Sequence, residues 1–407
     1  MSDASLSSPI ETLAPPAKGR DVKTAIEAPQ KTLYARSEAG VTRRVGVFAP
    51  NYGLEHVTYG IDLPDTKFSG VYGGTARRLL KGSYWDYSPW VFAPGTDLVH
   101  TFNHIPCNGD FVVSYELELP RTLGQWSDAQ LKRSLDRLSS DRCRGILPLS
   151  EAAKAYATRR FEDWGYGHLV DKLTLFRGCV RTPDPLPVAP EKREGPIRLL
   201  FIGGDGLRKG LWAAVTAAER LHAQGMEIEL TVIGKVTERS YVVGGQRIAG
   251  EELSRRLADA PFITHYQTLP NARIWSHLRH SDALLFPTVD ESLGWVTIEA
   301  ALCGVPSIVG GTFAQPELVR HGETGWILPM EADRDGRWIH LAGPQAMEAW
   351  PDLMESFAQG IVKAVTEIAQ DRGRAVEMGK RAQSYLQAYT HPQAAATLDA
   401  IYSQACR

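Results

Sequence analysis

A proline-rich break at residues 183 to 196 divides this chain into two halves. Its sequence, PDPLPVAPEKREGP, holds five prolines and five charged residues in fourteen positions. Proline fixes φ and lacks a backbone N–H donor, so such a run neither continues a helix nor pairs inside a sheet. We therefore expect a linker between two separately folded domains.

Short apolar runs alternate with helical patterns on both sides of this linker. Most are too short for helices and are bounded by turn-forming residues, which predicts β-strands. Some, such as IRLLFI at 197–202, are apolar almost throughout, as is typical of parallel strands covered on both faces. The predicted strands are 44–49, 98–102, 111–114, 145–149, 172–176, 197–202, 229–233, 283–286 and 306–309. Two such series predict an α/β fold of two facing, doubly wound Rossmann-like domains.

The same pattern gives the expected domain boundaries. We expect a flexible N-terminal tail over residues 1–40, because this stretch is rich in Ser, Ala and Pro and has no apolar periodicity. The other predicted parts are a first domain at 41–182, the linker at 183–196, a second domain at 197–355 and C-terminal helices at 356–407 that return to the first domain.

Composition narrows the class of protein. With 407 residues, 43% of them hydrophobic, and a formal charge of −2, the chain is not disordered and is not built to capture nucleic acid by charge. The five cysteines are widely spaced without a C-x-x-C pair, which favours reduced thiols in a cytoplasmic protein. We expect no signal peptide, and no run approaches the ~18 apolar residues that a membrane span requires.

The glycine-rich loop FIGGDGLRKG at 201–210 is a candidate phosphate site. Glycines allow the backbone to approach a ligand, and Arg208 and Lys209 arrive where a helix begins, whose N–H groups favour anions. The dinucleotide pattern G-x-G-x-x-G fits poorly because Lys209 stands at its third glycine. The P-loop pattern fails because Gly210 follows the lysine. The alternative is a tight turn with two solvated cations.

A second loop, within LLFPTVDESLGWVTIEAALCGVPSIVGG at 284–311, carries two glutamates. Glu291 lies in the loop and Glu299 about one turn into the helix that follows Gly294, so both are expected to project toward one cleft. A carboxylate accepts hydrogen bonds from two hydroxyls, which suits sugar and ribose diols. The alternative is that both are ordinary glutamates favoured near a helix N-terminus.

Together these blocks resemble the retaining glycosyltransferases of family 4, which have the GT-B fold. The resemblance covers Leu200–Gly210, the E-x7-E element from Glu291 to Glu299 with the following EAALCGVPSI, and ELVRHGETGWILP at 317–329. The first half resembles the family more loosely. The family often has arginine directly after the first glycine of the loop, where this chain has Gly204.

The resemblance implies roles for residues of the second domain. Lys209 and Arg208 would bind the donor diphosphate in the loop of Gly203 and Gly204. Glu291 would hold hydroxyls of the donor sugar and Glu299 the ribose. The remaining expected donor contacts are the backbone amides around Gly294, Trp295 and Val296, with His265 and Tyr266 as possible contacts of the base.

In the first domain the resemblance implies an acceptor side. Gly70, Gly73 and Gly74 resemble the family's glycine loop near the diphosphate and acceptor, or serve only packing. His104 follows a strand, where the family has histidines, or is a structural residue. Glu116 stands roughly where many members of the family have the histidine of a His-Asp pair. Because the residue differs, the resemblance gives weaker support for a catalytic role of Glu116.

The hypothesis is a metal-independent, retaining, hexosyltransferase-type glycosyltransferase with no cofactor. It would move a sugar from a UDP- or GDP-linked donor to a glycan, lipid-linked or small-molecule acceptor in glycan, polysaccharide or glycolipid synthesis. The alternatives are a GT-B-type phosphorylase or epimerase and a silent nucleotide-sugar-binding scaffold. The donor sugar, base and acceptor stay open. No nucleic-acid partner is expected.

Two sequence features bear on metal and membrane. Asp333-Arg334-Asp335 is the chain's D-x-D sequence, but it follows the last matching block, where no donor metal is expected. The segment 121–144, with Lys132, Arg133 and Arg137 beside a leucine stripe, is either a solvated helix face or a weak contact with the inner face of the membrane.

Overall fold

The computed structural model describes residues 42–48, 57–74, 88–121, 127–183, 194–248 and 250–407. The expected tail at 1–40 and most of the expected linker lie outside these residues. Among the described residues, no helix combines the length and the apolarity that a bilayer span requires. The described cysteines are all free thiols.

The first domain is built on a parallel sheet of five strands in the order β2-β1-β5-β6-β7. A separate antiparallel pair, β3 and β4, follows β2 in the chain. The strands are β1 (Arg43–Phe48), β2 (Thr66–Gly70), β3 (Tyr72–Gly74), β4 (Trp90–Phe92), β5 (Leu98–Phe102), β6 (Phe111–Tyr115) and β7 (Cys143–Pro148). The helices are α1 (Asp128–Ser139) and α2 (Glu151–Asp163).

The second domain has a parallel sheet of six strands in the order β10-β9-β8-β11-β12-β13. Its strands are β8 (Ile197–Gly203), β9 (Ile228–Gly234), β10 (Ile263–Tyr266), β11 (Ala283–Phe286), β12 (Ser307–Gly310) and β13 (Gly325–Leu328). Its helices are α3 (Leu211–Ala223), α4 (Gly250–Asp259), α5 (Asn271–Arg279), α6 (Trp295–Leu302) and α7 (Gln315–Leu318). The expectation of two doubly wound α/β domains is confirmed.

Three long helices complete the chain: α8 (Ala346–Gln370), α9 (Arg372–Tyr385) and α10 (His391–Ala405). The apolar face of α8 packs with α3 in the core of the second domain. The last helix, α10, packs instead against β1, β5, β6 and β7 of the first domain. Its Tyr402 hydroxyl lies 2.7 Å from Nδ1 of the fully buried His100, whose Nε2 lies 2.7 Å from the Ser114 hydroxyl.

The interface between the two domains is polar as well as apolar. The Glu317 carboxylate accepts hydrogen bonds from the backbone amides of Glu151 (2.9 Å) and Ala152 (3.2 Å), at the start of α2. It therefore complements the positive end of a helix that belongs to the other domain. The rings of Tyr156 and Phe313 meet edge to face across the same interface.

One predicted strand, at 172–176, is wrong. A 3-10 helix over Gly167–Lys172 is followed by an irregular segment that runs beside β7. The amides of Thr174 and Phe176 donate to carbonyls of β7, but beyond the single bridge at Leu173 no ladder forms. The Lys172 ammonium donates to four backbone carbonyls around the end of α1, at 2.8–3.2 Å, which fixes the start of this segment.

Candidate active site at the junction of the two domains

The strand order of the second sheet places a crevice between β8 and β11. These strands are neighbours, but their connections leave toward opposite sides of the sheet, which is the point where doubly wound sheets bind ligands. The loops that follow them are 204–210 and 287–294. The two loops singled out from the sequence therefore meet at the ligand-binding edge of the sheet.

The loop after β8 is shaped by Asp205. Its carboxylate accepts hydrogen bonds from the hydroxyls of Thr237 (2.7 Å) and Ser240 (2.9 Å), which come from the segment after β9. Its backbone carbonyl accepts from the amide of Lys209. The loop then enters α3 at Gly210, whose φ of +74° and close approach to Pro287 require glycine.

Lys209 is the buried cation of the crevice. Its side chain is 11% exposed, its ammonium contacts the Glu291 carboxylate, and the same nitrogen lies 4.6 Å from the centre of the Phe286 ring. Burial, with help from the neighbouring Arg208, lowers the pKa of Lys209 to about 7, although nearby carboxylates favour the charged form. An incoming anion would reverse the effect of burial on this group.

Arg208 approaches the same carboxylate oxygen as Lys209. Its Nη1 lies 3.5 Å from Glu291 Oε2 and donates to the backbone carbonyl of Asp290 at 2.8 Å. The position of Gly204, where the family that the sequence resembles often has arginine, borders open space. Arg208 thus places a guanidinium beside Glu291 from a position four residues further along the loop.

Asp290 is a residue of the site that the sequence did not single out. It is 5% exposed, and its carboxylate accepts two hydrogen bonds from Arg337, both 3.0 Å long, and one from the hydroxyl of Tyr241. A paired buried carboxylate fixes the backbone on which Glu291 stands. The signal in the sequence was an acidic residue directly before the first glutamate of the E-x7-E element.

The start of α6 is fixed by Gly294 and Gln315. Gly294 has φ +97°, and a Cβ there would lie 2.1 Å from Nε2 of Gln315. Gln315 is fully buried, donates to the carbonyl of Leu293 at 2.7 Å and accepts from Thr297 at 3.0 Å. Trp295 and Val296 therefore open a helix whose first-turn amides face the crevice end of the sheet.

Glu299 lies in a cavity of about 460 Å³ between the two domains. Burial raises the pKa of Glu299 to about 7. The cavity is lined from the first domain by residues that include Tyr59, Phe102 and Glu116, and from the second by Asn271, Trp295 and Glu299. Such a concave site with a buried carboxylate fits a small polar ligand.

Glu116 reaches this site from the end of β6 in the first domain. Its side chain is hydrogen-bonded to Ser292, one residue after Glu291. The positive charges of Lys209 and Arg208 favour the ionised form of Glu116. Burial raises the pKa of Glu116 despite these cations and Arg121. The structure therefore brings together Glu116, Lys209, Arg208 and Glu291 from two domains.

His104 lies just after β5, beside the switch point of the first sheet between β1 and β5. Burial lowers the pKa of His104, which favours the neutral imidazole. Its Nδ1 lies 2.7 Å from the carbonyl of Phe102, an acceptor, so Nδ1 carries the proton and Nε2 is the ring nitrogen that can accept a hydrogen bond. The ring also meets Phe48 edge to face.

The glycine loop of the first domain differs from the expectation. Gly70 ends β2, whereas Gly73 and Gly74 belong to the strand β3 of the antiparallel pair. Gly73 is required because a Cβ there would lie 2.7 Å from both the Phe48 ring and the carbonyl of Trp90. Trp90 of β4, which pairs with Gly74, is 59% exposed.

The candidate base contacts, His265 and Tyr266, are the last two residues of β10. His265 Nε2 lies 2.8 Å from the carbonyl of Gly234, so this side chain is bound to the end of β9. Tyr266 is partly buried, with its ring 5.7 Å from that of His277.

The D-x-D aspartates have partners of their own. The Asp333 carboxylate accepts hydrogen bonds from the backbone amides of Asp335 and Arg337, and the Asp335 carboxylate pairs with Arg159 of α2. Within the ranges that the structure describes, no group of three or more His, Cys, Asp or Glu side chains is placed to hold a metal ion.

The basic face of α1 is largely bound to the protein itself. Arg137 donates to the carbonyls of Pro106 (2.8 Å) and Gly109 (2.6 Å) and lies over the ring of Phe111. Lys132 pairs with Asp136 one turn away. The membrane contact stays a prediction.

Comparisons with known proteins agree with this architecture. The fold is that of the GT-B glycosyltransferases: the chain superposes on sucrose-phosphate synthase from Thermosynechococcus elongatus with a TM-score of 0.54 at 18% identity, over 76% of this chain and 74% of that one. It superposes on Anabaena HepE, solved in complex with UDP and glucose, with a TM-score of 0.53 at 12% identity over 88% and 91% of the two chains.

A family model matches part of the linker and most of the second domain. Residues 185–335 match the model of the family described as glycosyl transferases group 1. A glycogen synthase of Mycobacterium tuberculosis is 29% identical over 160 residues, which are 39% of this chain. The aligned part spans 37% of that relative's own length.

Gly210 offers a test of the loop geometry. In Gly210→Ala, a Cβ would lie 2.0 Å from the carbonyl oxygen of Pro287, in addition to the strain of its positive φ. We expect a loss of about 3 kcal/mol or more in the free energy of unfolding, measured by urea denaturation. The control Gly225→Ala has φ +81° and no atom within 4 Å of the added Cβ, so it should lose only ~1–2 kcal/mol. Equal losses would contradict the close approach of the two loops.

Proposed function

We propose that this chain is a retaining glycosyltransferase of family 4 that moves a sugar from a nucleotide diphosphate sugar to an acceptor hydroxyl. The observation that carries the proposal is the meeting of Lys209, Arg208 and Glu291 at the switch point of the second sheet. Glu116 of the first domain faces them. Transfer from such a donor requires cations that bind the diphosphate, a carboxylate that binds sugar hydroxyls, and a second domain that binds the acceptor.

In this proposal the donor diphosphate binds Lys209, Arg208 and the first amides of α6. These groups offset the charge that develops on the leaving nucleotide, so the transfer needs no metal ion. The diphosphate competes with Glu291 for the ammonium of Lys209. The Glu291 carboxylate then becomes available to the donor sugar's hydroxyls, and binding exchanges one partner of Lys209 for another.

Glu299 is proposed to bind the ribose hydroxyls inside the cavity between the domains. A carboxylate accepts two hydrogen bonds from a diol, and the burial that raises the pKa of Glu299 also strengthens such bonds. The base would then lie toward Asn271 and the end of β10, near Tyr266. UDP is the first nucleotide to test, because HepE, which shares the fold, is solved with UDP.

The first domain is proposed to bind the acceptor. The lone pair of His104 Nε2 suits an acceptor hydroxyl, and Glu116, hydrogen-bonded to Ser292, holds the reacting groups together. A front-face reaction, in which the leaving phosphate takes the proton of the acceptor hydroxyl, accounts for retention without a protein nucleophile. Closure of the cleft would exclude water and so favour transfer over hydrolysis.

The proposed acceptors are a glycan, a lipid-linked sugar or a small molecule. The proposed site of action is the cytoplasm or the inner face of the membrane, where nucleotide sugars are available. Product analysis separates the rival activities, because a phosphorylase releases sugar phosphate and an epimerase an altered nucleotide sugar. A silent scaffold binds nucleotide and forms no product.

Substitution of the two paired residues tests the proposal. We expect Glu291→Ala and Lys209→Ala each to lower kcat/KM for transfer by at least ~100-fold, about 2.7 kcal/mol of transition-state stabilisation. The exposed Glu323→Ala and Lys380→Ala are matched controls and should change it less than two-fold. The rate and the anomeric configuration of the product are followed by NMR. Near-normal turnover of folded Glu291→Ala or Lys209→Ala would refute these roles.

The pKa of Lys209 predicts a proton uptake. Burial lowers the pKa of Lys209, so part of the population is neutral at pH 8; the bound diphosphate raises that pKa, so binding should take up protons. At this pH the nucleotide's phosphates are already fully ionised. Calorimetric titration with UDP in two buffers of different ionisation enthalpy measures the uptake. Lys209→Ala should abolish it and Lys380→Ala should preserve it; uptake that persists in Lys209→Ala would contradict the assignment.

A further inference from the structure

The turn over residues 333–337 binds the loop that carries Glu291. Its last residue, Arg337, makes two parallel hydrogen bonds of 3.0 Å to the Asp290 carboxylate. Both side chains are largely buried, at 21% and 8% exposure. The backbone carbonyl of Asp290 in turn accepts a hydrogen bond from Arg208, and Asp290 directly precedes Glu291. Arg337 therefore binds the residue that directly precedes Glu291 and whose backbone carbonyl accepts a hydrogen bond from the Arg208 side chain.

The same turn also binds the first domain. Two residues before Arg337, the Asp335 carboxylate accepts two hydrogen bonds from Arg159 of α2, 3.0 and 2.6 Å long. The Asp335 side chain is 15% exposed, so this pair is shielded more than an ordinary surface pair. The neighbouring Arg334 pairs with Asp163 at 3.1 Å, but these side chains are 66% and 52% exposed.

The turn is rigid enough to connect these two contacts. Oδ1 of Asp333 accepts the amides of both Asp335 and Arg337 at 2.9 Å, and the backbone of Asp333 and Arg337 is hydrogen-bonded in addition. The carbonyl of Gly336 accepts the amide of Phe313, which anchors the turn to the segment after β12. Hydrogen bonds within the turn therefore link Asp335 to Arg337 through Asp333.

We propose that Arg337 is a positioning residue for the donor-binding loop, and that the Asp335–Arg159 pair makes this positioning depend on the docked first domain. Residues 287–294 are then fully ordered for the donor only when the first domain, which binds the acceptor, is in place. The inference concerning turnover rests on the proposed function. The inference concerning the order of the loop does not.

A ligand-free test uses hydrogen exchange of the full-length chain. We expect Arg337→Gln and Arg159→Gln each to speed amide exchange in 287–294 by ~10-fold, because both loosen the same loop. Lys380→Gln, which removes an exposed ion pair away from the turn, is the control and should leave it unchanged. Unchanged exchange in Arg159→Gln would overturn the dependence on the first domain, whether or not the chain is a transferase.

A double-mutant cycle on the transfer reaction tests the connection. Arg337→Gln should lower kcat by ~10–100-fold and Arg159→Gln by ~10-fold, whereas in the Arg337→Gln background Arg159→Gln should add less than two-fold. Arg337→Lys should restore only part of the rate, since lysine cannot bind a carboxylate through two parallel bonds. If the double variant loses kcat by the product of the two single losses, the proposal is overturned. A wild type inactive on every donor refutes the proposed function instead, and the exchange result then still decides the inference.

Discussion

The contact between Lys209 and Glu291 is the interaction on which the rest of this site depends. It joins the loops after β8 and β11, the two strands that flank the switch point of the second sheet. Buried ion pairs contribute little net stability, but removing one partner leaves an uncompensated charge and is costly. Such a pair is therefore better suited to hold two loops in register, and to exchange partners with a charged ligand, than to stabilise the fold.

The surrounding structure keeps this pair in place. Asp205 shapes the loop of Lys209, and Gly210 lets that loop lie against Pro287. Asp290 anchors the loop of Glu291 through Arg337. The first domain adds contacts of its own, and the return of α10 to the first sheet ties the end of the chain to that domain. The site is consequently a property of both domains together.

The sequence predicted those parts of the fold and site that lie in continuous segments. Buried parallel strands are apolar at nearly every position, and the loops with Lys209 and Glu291 follow them directly. The strand at 172–176 was predicted wrongly because Leu173 and Phe176 are apolar for packing beside β7, to which the described segment is joined by one bridge and not by a ladder. Local apolar spacing does not distinguish these two cases.

Contacts between distant segments carry no local signal. Arg337 and Asp290 are 47 residues apart and Asp335 and Arg159 are 176 apart, so neither pair was foreseen. Gly73 and Gly74 were expected in a loop; the close approach of Phe48 and Trp90 that requires glycine at position 73 comes from distant parts of the chain.

Thermal unfolding in the presence of nucleotides tests the central claim most directly. The midpoint of the full chain is measured with UDP, GDP and ADP separately, each with and without EDTA. A ligand at 100 times its Kd adds ~2.7 kcal/mol of stability, which corresponds to roughly 5–10 °C for domains of this size. Stabilisation by one nucleotide, unaffected by EDTA and lost in Lys209→Ala, is the result that the diphosphate site predicts. If none of the three nucleotides moves the midpoint of the wild type, the crevice between β8 and β11 is not a nucleotide diphosphate site.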